Sequence, residues 1–267
     1  MFRKIVQFEF LGNIDPIWLS LGPLLAFNLL MLAAFAYFTL TYTEQPETED
    51  VDNKVHSRLL SRFFKQFWYW FISPAEKLCL RMGVTPNALT LMGFLLSCLA
   101  GYFFHLGMIG MGGWFMIFGA TFDMFDGRIA RLTGTESASG AFFDSVMDRF
   151  SEGVVFIGLV SFYRDSWIVY PIMVGLIGSM MVSYTRARGE AIGITCSHGM
   201  MQRPERIVYL AVGSIFSPIF SYFLSFIFPV RYDFMTVGAV LIIAILTVVS
   251  SISRMVYIIR AADKQLA

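Results

Sequence analysis

The stretch FDMFDGRIARLTGTESASGAFFDSVMDRF, Phe122–Phe150, decides how the fold is interpreted because it places four aspartates within an apolar sequence. They are Asp123, Asp126, Asp144 and Asp148. The apolar sequence on either side continues in runs of about 20 residues, the length that a helix needs to cross a hydrocarbon core of about 30 Å. Because a carboxylate in a bilayer costs several kcal/mol, four of them in one passage indicate a function there.

The composition is that of a membrane protein rather than a soluble domain. Of the 267 residues, 57% are hydrophobic, whereas soluble domains contain roughly 45–50%. The excess lies in runs of helical length and not in alternating strands of about ten residues, so we predict an all-α, polytopic membrane helix bundle. The net charge of +1 identifies no partner, and we predict no binding of nucleic acid.

Seven apolar segments are long enough to span a membrane. The first is about Pro16–Tyr42, and the acidic, polar linker Thr43–Lys54 follows it. The other six are about Pro86–Gly107, Gly110–Arg131, Ser139–Phe162, Ser166–Arg188, Arg206–Pro229 and Phe234–Ile259. We therefore predict a six-helix core that is preceded by one extra N-terminal span.

The segment before the core is typical of a helix in the membrane interface. Its basic residues recur at i, i+4 and i+7, one helical face, and are Arg58, Arg62 and Lys65. Its apolar side holds Leu59, Phe63, Phe67 and Trp70. A basic and aromatic amphipathic helix of this kind lies in the interface plane.

Two sequences indicate helix starts. Ser73-Pro74-Ala75-Glu76 predicts that a second short helix begins there, because it combines an N-cap serine, an N1 proline and a capping-box glutamate. Thr85-Pro86 predicts the start of the first core helix in the same way. We expect residues 1–57 to form the N-terminal span and linker, residues 58–85 the interfacial amphipathic helices, and residues 86–267 the six-helix catalytic membrane domain.

Basic residues concentrate at one end of the predicted helices. They are Arg58, Arg62, Lys65, Lys77, Arg128, Arg131, Arg186, Arg188, Arg203, Arg206, Arg254, Arg260 and Lys264. By the positive-inside rule this end is cytoplasmic, and the aspartate stretch lies there too. We therefore expect an integral protein of the cytoplasmic (inner) membrane with its active site facing the cytosol.

Placed on helices, the aspartates form two acidic faces. One face holds Asp123, Asp126, Gly127, Ala130 and Arg131, and the other holds Gly140, Asp144 and Asp148. The turn between them is short, so we expect antiparallel neighbouring helices whose acidic faces meet at one depth. Carboxylates that face each other repel, and all-oxygen ligands suit Mg²⁺, Mn²⁺ or Ca²⁺, so one or two divalent cations are indicated.

Small and basic residues on the same faces indicate a phosphate-bearing ligand. Gly127 and Gly140 would let such a ligand approach the backbone, and the guanidinium of Arg131 suits phosphate. The residues alone favour metal-assisted phosphoryl transfer. A cation-coupled transporter and structural pairing of the aspartates with nearby arginines remain open at this point.

Other common sites find little support in the sequence. The three cysteines are widely spaced, so neither a disulfide framework nor a structural zinc site is expected. They are Cys79, Cys98 and Cys196. The histidines are equally scattered: His56, His105 and His198. The chain contains neither a Walker loop nor a GxGxxG sequence.

The spacing Asp123-x2-Asp126-Gly127-x2-Ala130-Arg131-x8-Gly140-x3-Asp144-x3-Asp148 resembles the signature of the CDP-alcohol phosphatidyltransferase family. All eight positions match over 26 residues. The six-helix core of that family corresponds to about Ser73–Ile259, so the extra N-terminal span is not part of the resemblance. The resemblance implies an enzyme that displaces CMP from CDP-diacylglycerol with an alcohol, and it implies a homodimer.

The resemblance also implies roles for individual residues. Asp123, Asp126 and Asp144 would ligate metal, most simply two Mg²⁺ or Mn²⁺ ions, and Asp148 would be the general base and could also touch metal. The CDP-lipid site would be lined by Asp126, Gly127, Ala130, Arg131 and Gly140. Ser137 and Thr133 in the turn are candidates for cytidine contacts, and the alternative for both is a solvated turn residue.

A second stretch, SYTRARGEAIGITCSHGMMQRPERIVYL, Ser183–Leu210, bears on the acceptor because it supplies four arginines. It is similar to phosphatidylinositol-phosphate synthases of actinobacteria and their archaeal counterparts, which share SYxxARxE followed by an RPER-like segment. That similarity implies that the phosphate of inositol 1-phosphate is bound by Arg186, Arg188, Arg203 and, further along, Arg254. Arg206 could instead pair with Glu205 or Glu190, and glycerol 3-phosphate is the alternative acceptor.

Overall fold

The computed structural model describes residues 16–41, 62–196, 201–226 and 233–266, and every regular element within those ranges is a helix. The helices are α1 (Pro16–Thr41), α2 (Arg62–Arg81), α3 (Pro86–His105), α4 (Ile109–Thr133), α5 (Ala138–Tyr163), α6 (Val169–Ala191), α7 (Arg203–Leu224) and α8 (Phe234–Leu266). Several predicted features lie outside the described residues: the acidic linker Thr43–Lys54, Arg58 and Leu59 of the interfacial helix, the end of one span at Pro229, His56 and His198.

Helices α3 to α8 pack as a ring. Around it α3 contacts α4, α4 contacts α7, α7 contacts α8, α8 contacts α6, α6 contacts α5, and α5 returns to α3. The ring interior is filled by large apolar side chains, among them Phe104, Phe156, Leu159, Ile172 and Ile243. Outside the ring, α1 lies against α4 and α7, and α2 lies against α4.

Over their described lengths, α4 and α5 make no extended contact with each other, because α3 packs against both. The expectation that they are antiparallel neighbours is wrong in this respect. Glycines allow the close approach of α3: a Cβ on Gly158 of α5 would lie 2.1 Å from the Gly101 carbonyl oxygen, and one on Gly93 would lie 3.0 Å from that of Gly119 on α4. The acidic faces of α4 and α5 therefore meet across a cleft whose back wall is α3.

The start of α3 follows the prediction. Thr85 is its N-cap residue, and the threonine hydroxyl accepts a hydrogen bond from the Ala88 N–H at 3.3 Å. Pro86 occupies the first turn, where a missing N–H leaves no intrahelical bond unmade. This start is confirmed, and it fixes the end of α3 that lies nearest the aspartates.

The prediction of a second helix starting at Ser73 is wrong. Helix α2 runs without a break from Arg62 to Arg81 and contains Pro74. A capping box requires the glutamate to turn back onto its own chain. Glu76 is instead buried and pairs with Arg128 on α4, so the carboxylate ties α2 to the ring.

Four of the described helices are long and apolar enough to cross a membrane. They are α1, α3, α7 and α8, over Ile17–Thr41, Pro86–His105, Arg203–Leu224 and Phe234–Asp263. The other predicted spans coincide with α4, α5 and α6, which carry the aspartate and arginine stretches. That these three also cross the membrane stays a prediction.

A polar contact anchors the extra N-terminal helix α1 to the ring. The indole N–H of Trp114 on α4 donates to the Ser20 carbonyl at 3.2 Å. Ser20 itself is fully buried, and a Cβ on Gly110 would clash with its hydroxyl. Most of the remaining α1 surface is exposed and apolar, as expected of a helix that faces lipid.

Candidate active site

Three of the four aspartates converge at one end of the ring. Asp123, Asp126 and Asp144 each offer an oxygen, and these oxygens all lie within 4.8 Å of one another. Helix α4 supplies the first two from successive turns, and α5 supplies the third across the cleft. Asp126 is the most buried of them, with 6% of its surface exposed.

This donor set fits a divalent cation. In an octahedron with metal–oxygen bonds of about 2.1 Å, opposite ligands are about 4.2 Å apart, so small side-chain adjustments would suffice. Carboxylate oxygens are the hard ligands that Mg²⁺ and Mn²⁺ prefer. A cation would also offset the repulsion among the three carboxylates, and Asp123, Asp126 and Asp144 are the residues that would hold it.

Asp148 lies one helical turn beyond Asp144 and is flanked by guanidinium groups. Nη1 of Arg203 is 2.8 Å from Asp148 Oδ1, and the same nitrogen donates to Asp123 Oδ2 at 2.5 Å. Nη1 of Arg149 donates to Asp148 Oδ2 at 3.2 Å. Asp148 therefore lies outside the three-oxygen group, and Arg203 joins it to that group.

Arg203 is the first residue of α7, the neighbour of α4 in the ring, and its side chain reaches the aspartates from there. The proline that follows it in the first turn favours a helix start, so the Arg203 backbone is fixed at the helix end. The sequence predicts that Arg203 binds an acceptor phosphate. Its contacts with Asp123 and Asp148 were not predicted, and they bring the acidic and basic parts of the site together.

Two other predicted phosphate ligands lie on the surface of α6. Nε of Arg186 donates to Oε1 of Glu190 at 2.9 Å, one helical turn along, and both side chains are about half exposed. Arg188 is exposed as well. The structure does not bring either arginine to the aspartates.

Arg254, on α8, is buried instead. It is 3% exposed, and its Nη1 donates to the Val182 carbonyl of α6 at 2.8 Å. The structure thus places these arginines at the same end of the ring, with only Arg203 on the carboxylates.

Arg206 has a different partner from those predicted. Glu205 and Glu190 are exposed, whereas Arg206 is 2% exposed and its Nε and Nη2 donate to Glu152 at 2.5 and 2.8 Å. Its Nη1 donates to the Met201 carbonyl at 3.1 Å. A buried guanidinium needs a desolvated carboxylate beside it. The Glu152 pair supplies one and fastens α7 to α5 beneath the site.

The predicted CDP-lipid residues of α4 follow Asp126 in the last two turns of the helix. A Cβ on Gly127 would meet only Nη1 of Arg131, at 3.5 Å, so the space in front of this glycine is open. Ala130 is half-buried and Arg131 is exposed. Gly127 therefore leaves room beside Asp126 for an anionic ligand, and the Arg131 guanidinium lies next to that space.

The turn between α4 and α5 organises its own hydroxyl groups. Oγ of Ser137 accepts a hydrogen bond from the Gly140 N–H at 3.1 Å and is thereby the N-cap of α5. Oγ1 of Thr133 donates to the Ile129 carbonyl at 2.7 Å. Both side chains are exposed and bond locally, and whether either contacts cytidine stays a prediction.

The sequence interpretation missed Thr90 of α3. This threonine is buried, and its hydroxyl donates to Oδ2 of Asp126 at 2.5 Å. The only hint in the sequence was that a single threonine lies one turn into a capped, apolar helix. Its partner could not be inferred, because the two residues are on different helices.

The sequence model of the CDP-alcohol phosphatidyltransferase family matches residues 83–252, more than half of the chain. The chain belongs to this family. It is therefore an integral membrane enzyme, a phosphotransferase that acts on a CDP-linked lipid with an alcohol as acceptor. The family resemblance of the aspartate spacing is confirmed.

Several relatives of this CDP-alcohol phosphatidyltransferase are named as synthases of an inositol phosphate lipid. The archaetidylinositol phosphate synthase of Pyrococcus horikoshii is 40% identical over 139 residues, which are 52% of this chain and 73% of that protein. The phosphatidylinositol phosphate synthase of Mycobacteroides abscessus is 36% identical over 150 residues, 54% of this chain and 68% of that protein.

Solved structures of a related enzyme share the fold. The phosphatidylinositol phosphate synthase of Mycobacterium tuberculosis with CDP-DAG bound has a TM-score of 0.61 at 28% identity, over 71% of this chain and 94% of that one. The same enzyme with manganese and citrate has a TM-score of 0.61 at 29% identity, over 69% and 87% of the two chains. The three cysteines of the present chain are free.

Proposed function

We propose that this enzyme transfers the phosphatidyl group of CDP-diacylglycerol to a hydroxyl of inositol 1-phosphate and releases CMP. One observation carries the proposal. Arg203, a residue expected to bind the acceptor phosphate, touches both Asp123 of the carboxylate cluster and Asp148, the expected base. The relatives named for inositol phosphate support the choice of acceptor.

We assign metal binding to Asp123, Asp126 and Asp144, with one or two Mg²⁺ or Mn²⁺ ions. Bound there, divalent metal would neutralise charge on the diphosphate and on the departing CMP. Helix α4 holds two of these three carboxylates, and α5 holds the third opposite them. Support comes from their all-oxygen donor set and from the manganese in the M. tuberculosis enzyme.

Asp148 is the proposed general base. It would take the proton of the acceptor hydroxyl as that oxygen attacks the β-phosphorus. The bond from the β-phosphorus to the bridging oxygen breaks, and CMP leaves with that oxygen. Arg203 and Arg149 contact one carboxylate oxygen each, so they hold the Asp148 carboxylate in one orientation.

The CDP-lipid would occupy the cleft between α4 and α5. We propose that Asp126, Gly127, Ala130, Arg131 and Gly140 line its polar part. Ser137 remains a proposed contact, because its Oγ retains a lone pair beyond the one that caps α5. The acyl chains would lie along exposed apolar helix surface, where lipid is available.

For the acceptor phosphate we propose Arg203 as the central ligand, with Arg186, Arg188 and Arg254 around it. Arginine binds phosphate bidentately, and Arg203 has a second terminal nitrogen, Nη2, whose contact with Asp123 is long, 3.4 Å. That nitrogen could turn to an incoming phosphate while Nη1 stays with Asp148. A phosphate ligand next to the base would bring the acceptor hydroxyl to Asp148.

We also propose a location and an assembly. The basic end of the helices favours an inner-membrane protein whose site faces the cytosol. We propose residues 86–267 as the catalytic unit, residues 58–85 as its interfacial segment and residues 1–57 as an accessory region. A homodimer is proposed from the family, and light scattering of the detergent-solubilised chain would test it.

An acceptor panel tests the function directly. The purified chain is incubated with CDP-diacylglycerol, Mn²⁺ or Mg²⁺ and one acceptor at a time, and CMP and the lipid product are identified by mass. Inositol 1-phosphate should release CMP and yield a phosphatidylinositol phosphate. If CMP is released only with glycerol 3-phosphate, that alcohol is the acceptor instead of inositol 1-phosphate. If a folded, metal-binding chain releases no CMP with any acceptor, the proposal is overturned.

A further inference from the structure

We propose that Thr90 positions Asp126 for metal binding and thereby sets the cation affinity of the site. Thr90 is a positioning residue in this proposal and not a ligand, because its hydroxyl acts through Asp126. The inference rests on the proposed metal role of Asp126. It adds a residue from α3, a helix that contributes none of the aspartates.

The contact is short and enclosed. Oγ1 of Thr90 is 2.5 Å from Oδ2 of Asp126, and the two residues are 4% and 6% exposed. The Pro86 carbonyl is also within reach of this hydroxyl, at 3.2 Å. A hydroxyl has one proton, and the ionised carboxylate at shorter range is the stronger acceptor, so Thr90 donates to Asp126.

Other threonines of the ring show what an ordinary helical threonine does. Thr121 on α4 donates to the Ile117 carbonyl at 2.9 Å, and Thr247 on α8 donates to the Ile243 carbonyl at 2.7 Å. Both satisfy the hydroxyl within their own helix. Thr90 differs because its shortest contact crosses from α3 to a carboxylate on α4.

The surroundings of Thr90 make this contact rigid. Thr90 lies in the turn after the capped start of α3, and Leu89 beside it packs against Phe125 and Ile129, which flank Asp126. A β-branched side chain also has few rotamers in a helix. The hydroxyl is therefore presented from a fixed backbone, and one oxygen of Asp126 is held in place.

The hydrogen bond from Thr90 to Oδ2 also affects how the Asp126 carboxylate faces the other aspartates. With that oxygen bonded to Thr90, the remaining lone pairs of Asp126 are directed by the orientation of its carboxylate plane, toward the cluster it forms with Asp123 and Asp144. Ligating carboxylates are commonly oriented by such hydrogen bonds, and loss of one typically costs about 10- to 100-fold in metal affinity.

The test compares Mn²⁺ binding by three variants of the full chain in lipid nanodiscs without substrates. Free Mn²⁺ is measured by electron paramagnetic resonance during a titration. Thr90→Val keeps the shape and removes the hydroxyl, and its Kd should rise about 10- to 100-fold. Thr90→Ser keeps the hydroxyl and should bind like the wild type. Thr121→Val removes a hydroxyl bonded within its own helix and should also bind like the wild type.

Turnover separates positioning from general damage. Activity of Thr90→Val should recover at high Mn²⁺, with the acceptor KM unchanged. A folded Thr90→Val chain with wild-type Mn²⁺ affinity would overturn the inference. If the valine variant does not fold, Thr90→Ala and Thr90→Ser are compared, and equal losses of affinity would overturn it as well.

A separate variant keeps this inference distinct from the proposed function. Asp126→Asn should abolish tight Mn²⁺ binding if Asp126 is a ligand. Retained binding by Asp126→Asn would contradict the metal role itself. Weak binding by Asp126→Asn with normal binding by Thr90→Val would reject only the role of Thr90.

Discussion

The aspartate stretch of α4 and α5 and the arginine stretch of α6 and α7 lie at the same end of the ring but are organised differently. The aspartates have short side chains, so their position follows that of the backbone, and the helical period brings three of them to one place. The arginines have long side chains that follow their partners. Arg203 reaches Asp123 and Asp148, whereas Arg206, one turn on, pairs with the buried Glu152.

Arginines that lie close together in a sequence therefore do not necessarily form one binding site. Each guanidinium instead bonds to a carboxylate or carbonyl oxygen in its own surroundings. Arg254 finds a backbone carbonyl, and Arg186 finds an exposed glutamate. Four substitutions would separate the acidic and basic parts of the site.

Asp148→Asn tests the proposed role of the last aspartate in the aspartate stretch. Loss of a general base should lower kcat by about 10²- to 10⁴-fold. Mn²⁺ binding and CDP-lipid binding should persist, because the three converging carboxylates are intact. Single-turnover CMP release measures the rate, and titrations with Mn²⁺ and with CDP-diacylglycerol measure the two kinds of binding. Full activity of this variant would show that another group accepts the proton.

Arg206→Met tests the structural arginine. It leaves Glu152 buried without its partner, and breaking such a pair costs about 3–5 kcal/mol of stability. The thermal unfolding temperature should fall clearly. The double variant Glu152→Leu/Arg206→Met is the control and should recover much of the loss, since no charge is left unpaired. An unchanged unfolding temperature for Arg206→Met would contradict the structural role.

Arg203→Ala tests the arginine that joins the two halves. A hydrogen bond to a charged group contributes about 1.5–3 kcal/mol, so the acceptor KM should rise by about 10- to 150-fold. The KM for CDP-diacylglycerol should change less. Steady-state kinetics with each substrate varied in turn measures the split. Equal effects on both KM values would argue that Arg203 acts only through Asp123 and Asp148.

Arg186→Ala should have the smallest effect. Its side chain is about half exposed and paired with Glu190, and screened surface charges contribute little. We expect the acceptor KM to rise by about two- to fivefold. Glu190→Gln is the matched control, because it removes the pair while leaving the guanidinium, and it should not raise KM. An effect as large as that of Arg203→Ala would make Arg186 a central phosphate ligand.

Helical periodicity and capping residues carried much of the fold prediction. The positions of α3 to α8 follow the apolar runs, and the start of α3 follows from Thr85 and Pro86. The three-carboxylate cluster follows from i, i+3 and i+4 spacing on two helices near a short turn. These features depend on contacts that are local in the chain, which is why a single sequence predicts them.

Features that depend on distant partners were not predictable. The unbroken helix through Pro74 accompanies the pairing of Glu76 with Arg128, and the cleft between α4 and α5 depends on the glycine contacts of α3. Arg203 meets Asp123 from another helix, 80 residues along the chain. Neither spacing nor charge in the sequence specifies which of several carboxylates a given guanidinium will contact.

The chain order of the site residues affects its biosynthesis. Synthesis runs from the N-terminus, and N-terminal parts of a protein generally fold first. Helices α3 to α5 carry every aspartate of the cluster, whereas Arg203 begins α7, after all of α6 has been made. A nascent chain therefore carries the repelling carboxylates with Arg149 but before Arg203 exists, and a bound cation or a proton would offset more of their charge. Divalent-ion supply should then influence how much protein is inserted, apart from any effect on turnover.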